Sequence, residues 1–232
     1  MGTSLTPSRG TGADDTLDVR VWALPVPPPS AALDPGVLDE EERRRAAAFV
    51  RDEDRHLYGF AHIALRTVLA ALTGIAPGAL RFDRAPCPCC DGPHGRPVLR
   101  SAAAPEFSLS HTRGLVVIGV APVPVGVDAE PLPKAGTAEE LAKVLHPAER
   151  QEVEAASPQD RPAVFARLWA RKEAYLKGLG TGLGRDLDAD DVRGPLPGWH
   201  LTDLAVGPGH AAAVAVASPA PYEVRVHRGL PG

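Results

Sequence analysis

Cysteine is scarce in this chain, with three in 232 residues, all between Cys87 and Cys90. Thiols so few and so close cannot build the framework of a disulfide-stapled domain, so a reducing, cytoplasmic setting is expected. A basic excess is missing as well. Lys and Arg number 25 against 29 Asp and Glu, for a net charge of -4. That balance excludes the broad positive field of a general nucleic-acid binder and leaves room for a local basic pocket. No apolar run approaches the ~20 residues of a membrane span, so no membrane segment is expected. The first sixteen residues also lack an apolar stretch and read as a disordered tail, neither signal peptide nor anchor. Two phosphate-binding patterns are absent too: no GxGxxG joins a strand to a helix, and no Gly-Lys-Ser/Thr loop occurs.

What remains is ordinary globular composition, 44% hydrophobic and 23% charged. It is enough chain to bury a core without staples. Residues 17–24 alternate and predict a first strand. A helix is expected over 37–51, with acids early and arginines later, as the helix dipole favours. A longer one follows over 52–72, with apolar residues at helical spacing and Gly74 closing it. Strands are expected at 106–110, 115–121 and 125–130, with a seam at Pro122 to Pro124 between two halves, 17–122 and 123–232. The second half continues with a helical region at 137–145 and a new helix start at Pro147. A strong helix over 161–178 and three weaker strands near 198–204, 209–217 and 222–226 complete it. Long helices mixed with short, hairpin-linked strands point to α+β with antiparallel sheets, not a doubly wound parallel sheet.

Two segments carry chemistry. In Gly126-Val-Asp128-Ala-Glu130 the acids stand at i and i+2, so a strand turns both to one face while Val127 and Ala129 face the core. Carboxylates that close repel, and a hard cation with oxygen ligands offsets the repulsion. In Trp169-Ala-Arg-Lys172-Glu173-Ala-Tyr-Leu-Lys177, residues 169, 173 and 177 share one helical stripe. Each segment alone is also what a solvated strand end or a surface Glu–Lys pair looks like. Together they place three carboxylates for a cation beside Lys172 and Lys177 for phosphate, as phosphoryl-type chemistry requires.

These two segments, some forty residues apart, resemble the signature of the 4′-phosphopantetheinyl transferase superfamily. Gly95-Arg96-Pro97, Phe107-Ser-Leu-Ser110-His111 and the glycine-rich 178–184 resemble further segments of that family, in the family's order. The length suits its two-repeat, surfactin-synthetase-activating type, a pseudo-dimeric α+β monomer in which each half packs a small antiparallel sheet on a long helix. The resemblance implies transfer of the phosphopantetheine arm of coenzyme A to a serine of an acyl or peptidyl carrier protein, releasing adenosine 3′,5′-bisphosphate. It implies that Asp128, Glu130 and Glu173 bind Mg²⁺, that Glu173 deprotonates the carrier serine, directly or through water, and that Lys177 steadies the diphosphate. Arg96, Ser110, His111 and Lys172 would hold coenzyme A. Arg51 and Arg55, in a segment similar to a family basic patch, would add phosphate contacts. Two-repeat members often serve polyketide and nonribosomal-peptide synthesis. Two alternatives keep part of this pattern: a Mg²⁺-dependent phosphohydrolase, and a non-catalytic carrier-protein binder.

The chain departs from the family pattern at Arg96, where Lys is commoner, at Ser108, where Asn is usual, and at Ala129, where Ile is usual. Arg keeps the charge and adds bidentate reach. Cys87, Cys89 and Cys90, with His94 nearby, offer soft zinc ligands. A structural zinc site normally has two separated ligand pairs, and reduced, unliganded thiols are expected here. Arg43 to Arg45 read as a solvated helix face.

Overall fold

A computed structural model describes residues 16–101, 104–219 and 222–231; the expected N-terminal tail lies almost wholly outside them. Among the described residues, nine strands and five α-helices form; the seven predicted strands and five predicted helices appear in order, and two short strands before residue 100 add to them. Strand β1 (Leu17–Pro25) is followed by α1 (Glu40–Ala47) and α2 (Asp52–Thr73), then β2 (Phe82–Arg84) and β3 (Pro97–Leu99). Next come β4 (Glu106–Thr112), β5 (Leu115–Ala121) and β6 (Val125–Pro131). Helices α3 (Ala135–Ala142), α4 (Pro147–Ala155) and α5 (Arg161–Leu179) precede β7 (Trp199–Asp203), β8 (His210–Ala217) and β9 (Tyr222–His227).

The helix ends follow local chemistry. Asp39 and Glu42 form a reciprocal capping box at the start of α1, satisfying backbone N–H groups that the first turn leaves open. Gly74 and Gly180 close α2 and α5 in the left-handed conformation, at φ 71 and 81, where a side chain would be strained.

Four layers stack: α2, a four-stranded sheet, a three-stranded sheet, and α5. The first sheet has the order β4-β5-β1-β9 and the second β6-β8-β7. β1 is central to the first and buried on both faces. Trp22 and Leu24 pack with Phe60, Leu65, Val68 and Leu69 of α2. Val19, Val21 and Ala23 pack with Val125, Val127, Val214 and Val216 of the second sheet. The period-2 alternation of the strands is what lets one strand serve both cores. A third core joins Ala213 and Ala215, on the far face of β8, to Leu168, Ala174 and Leu176 of α5.

One expectation is corrected. β9 does not stay with the second half; it pairs in parallel with β1, Leu17 opposite Tyr222 through Trp22 opposite His227. The first sheet is therefore mixed, and the two sheets are not both antiparallel. The remaining ladders of both sheets are antiparallel.

Candidate active site

Helix α5 lies directly on strand β6, and glycine makes that possible. A Cβ at Gly126 would fall 1.9 Å from the Ala174 carbonyl oxygen and 2.4 Å from the Gly178 amide nitrogen. A Cβ at Gly178 would fall 2.5 Å from the Trp199 ring. With no side chain between the backbones, Glu173 and Lys177 of α5 reach the face of β6 that carries Asp128 and Glu130. Val127 and Ala129 point the other way, into the core between the sheets.

Asp128 is the centre of this arrangement and is only 3% exposed. Its Oδ1 accepts hydrogen bonds from Lys177 Nζ at 2.6 Å and Ser110 Oγ at 2.8 Å. Its Oδ2 is buried and has no hydrogen-bond partner. A carboxylate oxygen left so is costly unless something positive meets it. Ser110 belongs to β4, where alternate hydroxyls face β6. The Ser108 hydroxyl accepts from the Val127 N–H at 3.1 Å, and the Ser110 hydroxyl accepts from the Ala129 N–H at 3.3 Å. The serine that stands for the family's Asn thus makes a seam bond between the sheets.

Glu130 and Glu173 feel the same crowding. Burial and the negative charge of Asp128 push Glu130 up to about 7, Glu173 adding to the rise while Lys177 and a hydrogen bond from Trp169 oppose it. Glu173 is also raised, first by burial and then by Asp128, against the pull of Lys177. Two acids of raised proton affinity, beside Asp128 and one lysine, form a site short of positive charge. With Asp128 Oδ2 unpartnered, this donor set fits a hard divalent cation. The three carboxylates are not all within 4.8 Å of one another.

Lys177 also lines a cleft of ≈ 790 Å³, a size suited to a cofactor-sized ligand. Arg45, Arg84, Arg96, His62 and His94 line its walls, along with Asp39, Glu41, Glu42 and Asp83. The floor includes Gly180, Thr181 and Gly182 from the turn after α5. Four fixed cations around one concavity favour a phosphorylated ligand.

Residues 124–211 match the family model of the 4′-phosphopantetheinyl transferase superfamily. Over those residues the chain is similar to this superfamily. It is 29% identical over 215 residues to the 4′-phosphopantetheinyl transferase HetI of Nostoc sp., across 86% of this chain and 88% of the relative. To the 4′-phosphopantetheinyl transferase Sfp of Bacillus subtilis it is 24% identical over 194 residues, across 78% and 83%. To psf-1, a 4′-phosphopantetheinyl transferase of Bacillus pumilus, it is 34% identical over 164 residues, across 66% and 62%. No helix among the described residues is long and apolar enough to cross a membrane.

The predicted residues divide into three groups. Asp128, Glu130, Glu173 and Lys177 converge. Arg96 lines the cleft, whereas His111 does not. The Arg96 guanidinium forms a two-bond fork with Glu106, one bond at 2.8 Å. His111 is exposed and meets Tyr58 edge-on at 6.5 Å. Its pKa is lowered by the protein packed around the ring, then by the positive charges of His62, Lys177 and Arg45. The neutral ring therefore dominates at neutral pH. Ser110 positions Asp128 and does not line the cleft.

The third group lies elsewhere. Lys172 is a correction: it is 1% exposed, pairs with the equally buried Glu149 at 2.8 Å and donates to the Asp190 carbonyl. One residue along a helix turns about 100°, so Lys172 leaves the face that carries Glu173. Arg51 and Arg55 are exposed and do not line the cleft; Arg55 pairs with Asp52 at 2.6 Å. The basic wall comes instead from Arg45, within the run expected to be a solvated face, and from Arg84. Behind it, Arg66 is fully buried and binds Asp39 and Glu42, each at 2.7 Å. Glu42 in turn holds His62 Nδ1 at 3.0 Å.

Proposed function

We propose that this transferase moves the 4′-phosphopantetheine arm of coenzyme A onto a serine of an apo acyl or peptidyl carrier protein, with Mg²⁺ held by Asp128, Glu130 and Glu173. The observation that carries the reading is Asp128. One of its oxygens is held by Lys177 and Ser110, and the other is buried without a partner. Mg²⁺, when bound, supplies Lewis acidity at the phosphoryl oxygens.

The chain's own residues do the rest. Lys177, beside the acids and on the cleft wall, opposes negative charge on the diphosphate and on the leaving group. Arg45, Arg84 and Arg96 offer the wall for the remaining phosphate of coenzyme A, Arg96 on release from Glu106. Glu173 has a raised proton affinity, which suits it to take the proton of the attacking serine. The serine oxygen bonds to the β-phosphorus as the bond to the bridging oxygen breaks. Adenosine 3′,5′-bisphosphate departs, and the serine proton passes to Glu173.

Both halves of the chain contribute to the cleft, which supports a monomer as the working unit. Each half sets a run of antiparallel strands against one long helix, which supports the pseudo-dimeric, two-repeat reading with a division near 122. Three free thiols support a reducing, cytoplasmic setting. The test is mass spectrometry of apo carrier proteins of fatty-acid, polyketide and nonribosomal-peptide type after incubation with the chain, coenzyme A and Mg²⁺. A gain of one phosphopantetheine on at least one carrier is expected, and lost when Glu173→Gln replaces the wild type. No gain on any carrier, or release of free phosphate or free phosphopantetheine alone, would overturn the assignment.

A further inference from the structure

The loop between β2 and β3 holds a second cluster of ligating side chains that the transfer reaction does not use. Among the described residues, Cys87, Cys90 and His94 are the one group of three His, Cys, Asp or Glu whose ligand atoms all lie within 4.8 Å of one another. Cys90 Sγ stands 3.1 Å from His94 Nε2. The loop turns tightly to achieve this. The N–H groups of Cys90 and Asp91 both donate to the Cys87 carbonyl, at 3.2 and 2.8 Å, and Asp91 adopts φ 55.

Gly92 completes the geometry. A Cβ there would stand 2.9 Å from the His94 ring and 3.3 Å from Cys90 Sγ, so only glycine lets the imidazole fold back onto the thiol. Cys87 is buried while Cys90 and His94 are exposed, which leaves the cluster open to an arriving ion.

We propose that Cys87, Cys90 and His94 bind a zinc ion, with water in the fourth position. Two thiolates and one imidazole are soft-to-intermediate donors that suit tetrahedral Zn²⁺ and do not suit Mg²⁺. Loading releases the two thiol protons to solvent. Cys89 is not a ligand; its sulfur turns to the Gly184 carbonyl at 3.8 Å, toward the glycine-rich turn after α5. The separated second ligand pair that the sequence lacks is not required, because the turn brings His94 to the thiols. The ion would fix the loop that carries His94, Gly95 and Arg96 onto the cleft wall.

The experiment uses the full chain, purified without a polyhistidine tag, with metal measured by inductively coupled plasma mass spectrometry. About one zinc per chain is expected. Cys90→Ser and His94→Ala should each lose it, and Cys89→Ser should keep it. Cobalt added to chelator-stripped protein should give the visible bands of a tetrahedral site and thiolate charge-transfer bands. A metal-free wild type that shows neither band with cobalt overturns the proposal, as does undiminished zinc in both ligand variants. If those variants do not fold, mercurial titration of wild-type thiols before a zinc dye decides: zinc release supports the site, and none overturns it. Magnesium-dependent transfer is assayed separately, so each reading can fail alone.

Discussion

Gly126→Ala is the sharpest test of how the site is assembled. The added methyl would stand 1.9 Å from the Ala174 oxygen and 2.4 Å from the Gly178 nitrogen. Non-bonded carbon–oxygen contacts settle near 3.3 Å or beyond, so helix and strand must part by roughly 1 Å or more. Both atoms belong to helix backbone and cannot swing aside. Overpacking of this kind costs about 1–3 kcal/mol, and more where backbone is struck. In a chain of this size that is a fall in Tm of roughly 2–12 °C. The same displacement stretches the 2.6 Å contact between Lys177 and Asp128. A shift of about 1 Å at reacting groups costs on the order of 100-fold in rate. Circular dichroism melts and carrier-loading rates measure the two effects. Gly136→Ala, in the first turn of α3, is the control, since its Cβ meets nothing within 4 Å. If Gly126→Ala melted within a degree or two of wild type and loaded carrier at an unchanged rate, glycine-enabled helix approach would not be what builds this site.

Lys172→Met should leave Glu149 buried and unpaired, a loss of about 3–5 kcal/mol, while the KM for coenzyme A stays within about twofold of wild type; a raised KM in a protein of unchanged Tm would return Lys172 to the cleft. Glu130 sets a pH dependence whose sign is fixed. Its folded pKa of about 7 lies above the ordinary 4.5, so the folded chain holds a proton that the unfolded chain releases. The stability from that proton is present below the unfolded value and lost as pH rises through 7. Without divalent metal, Tm should therefore fall between about pH 4.5 and pH 7, less steeply in Glu130→Gln. Added Mg²⁺ should raise Tm more at the upper pH than the lower, because the ion binds the ionised carboxylates. Ser110→Ala should lower the Mg²⁺ affinity by loosening Asp128, with a stability cost of about 1–2 kcal/mol; isothermal titration and melts check both.

Much of this was legible because local patterns determined it. The i and i+2 acids of β6 share a face for the reason that any strand alternates, and Val127 and Ala129 confirm the opposite side by entering the core. The 169, 173, 177 stripe carried Glu173 and Lys177 to the acids by helical spacing alone. Lys172 shows where a motif outruns geometry: its adjacency to Glu173 in sequence is a turn away from it in space. Arg45 escaped because three consecutive arginines wrap the helix, and nothing local says which one meets a cleft built from distant elements. Arg84 escaped because it sits on a three-residue strand with no periodicity to read. The four-residue step from Cys90 to His94 could not reveal that a left-handed Asp91 and a bare Gly92 fold one onto the other.

The parallel pairing of β1 with β9 has a consequence for how the molecule is made. Leu17 must find Tyr222, a closure of roughly two hundred residues, among the slowest kinds of contact to form. During synthesis β1 emerges well before β9, and its flank stays open until β9 has left the ribosome. An exposed strand margin is the usual starting point for misassembly. Tags or fusions placed just after His227 therefore press on the first sheet, and a gene cut at residue 122 would yield a front portion whose central strand has become a rim.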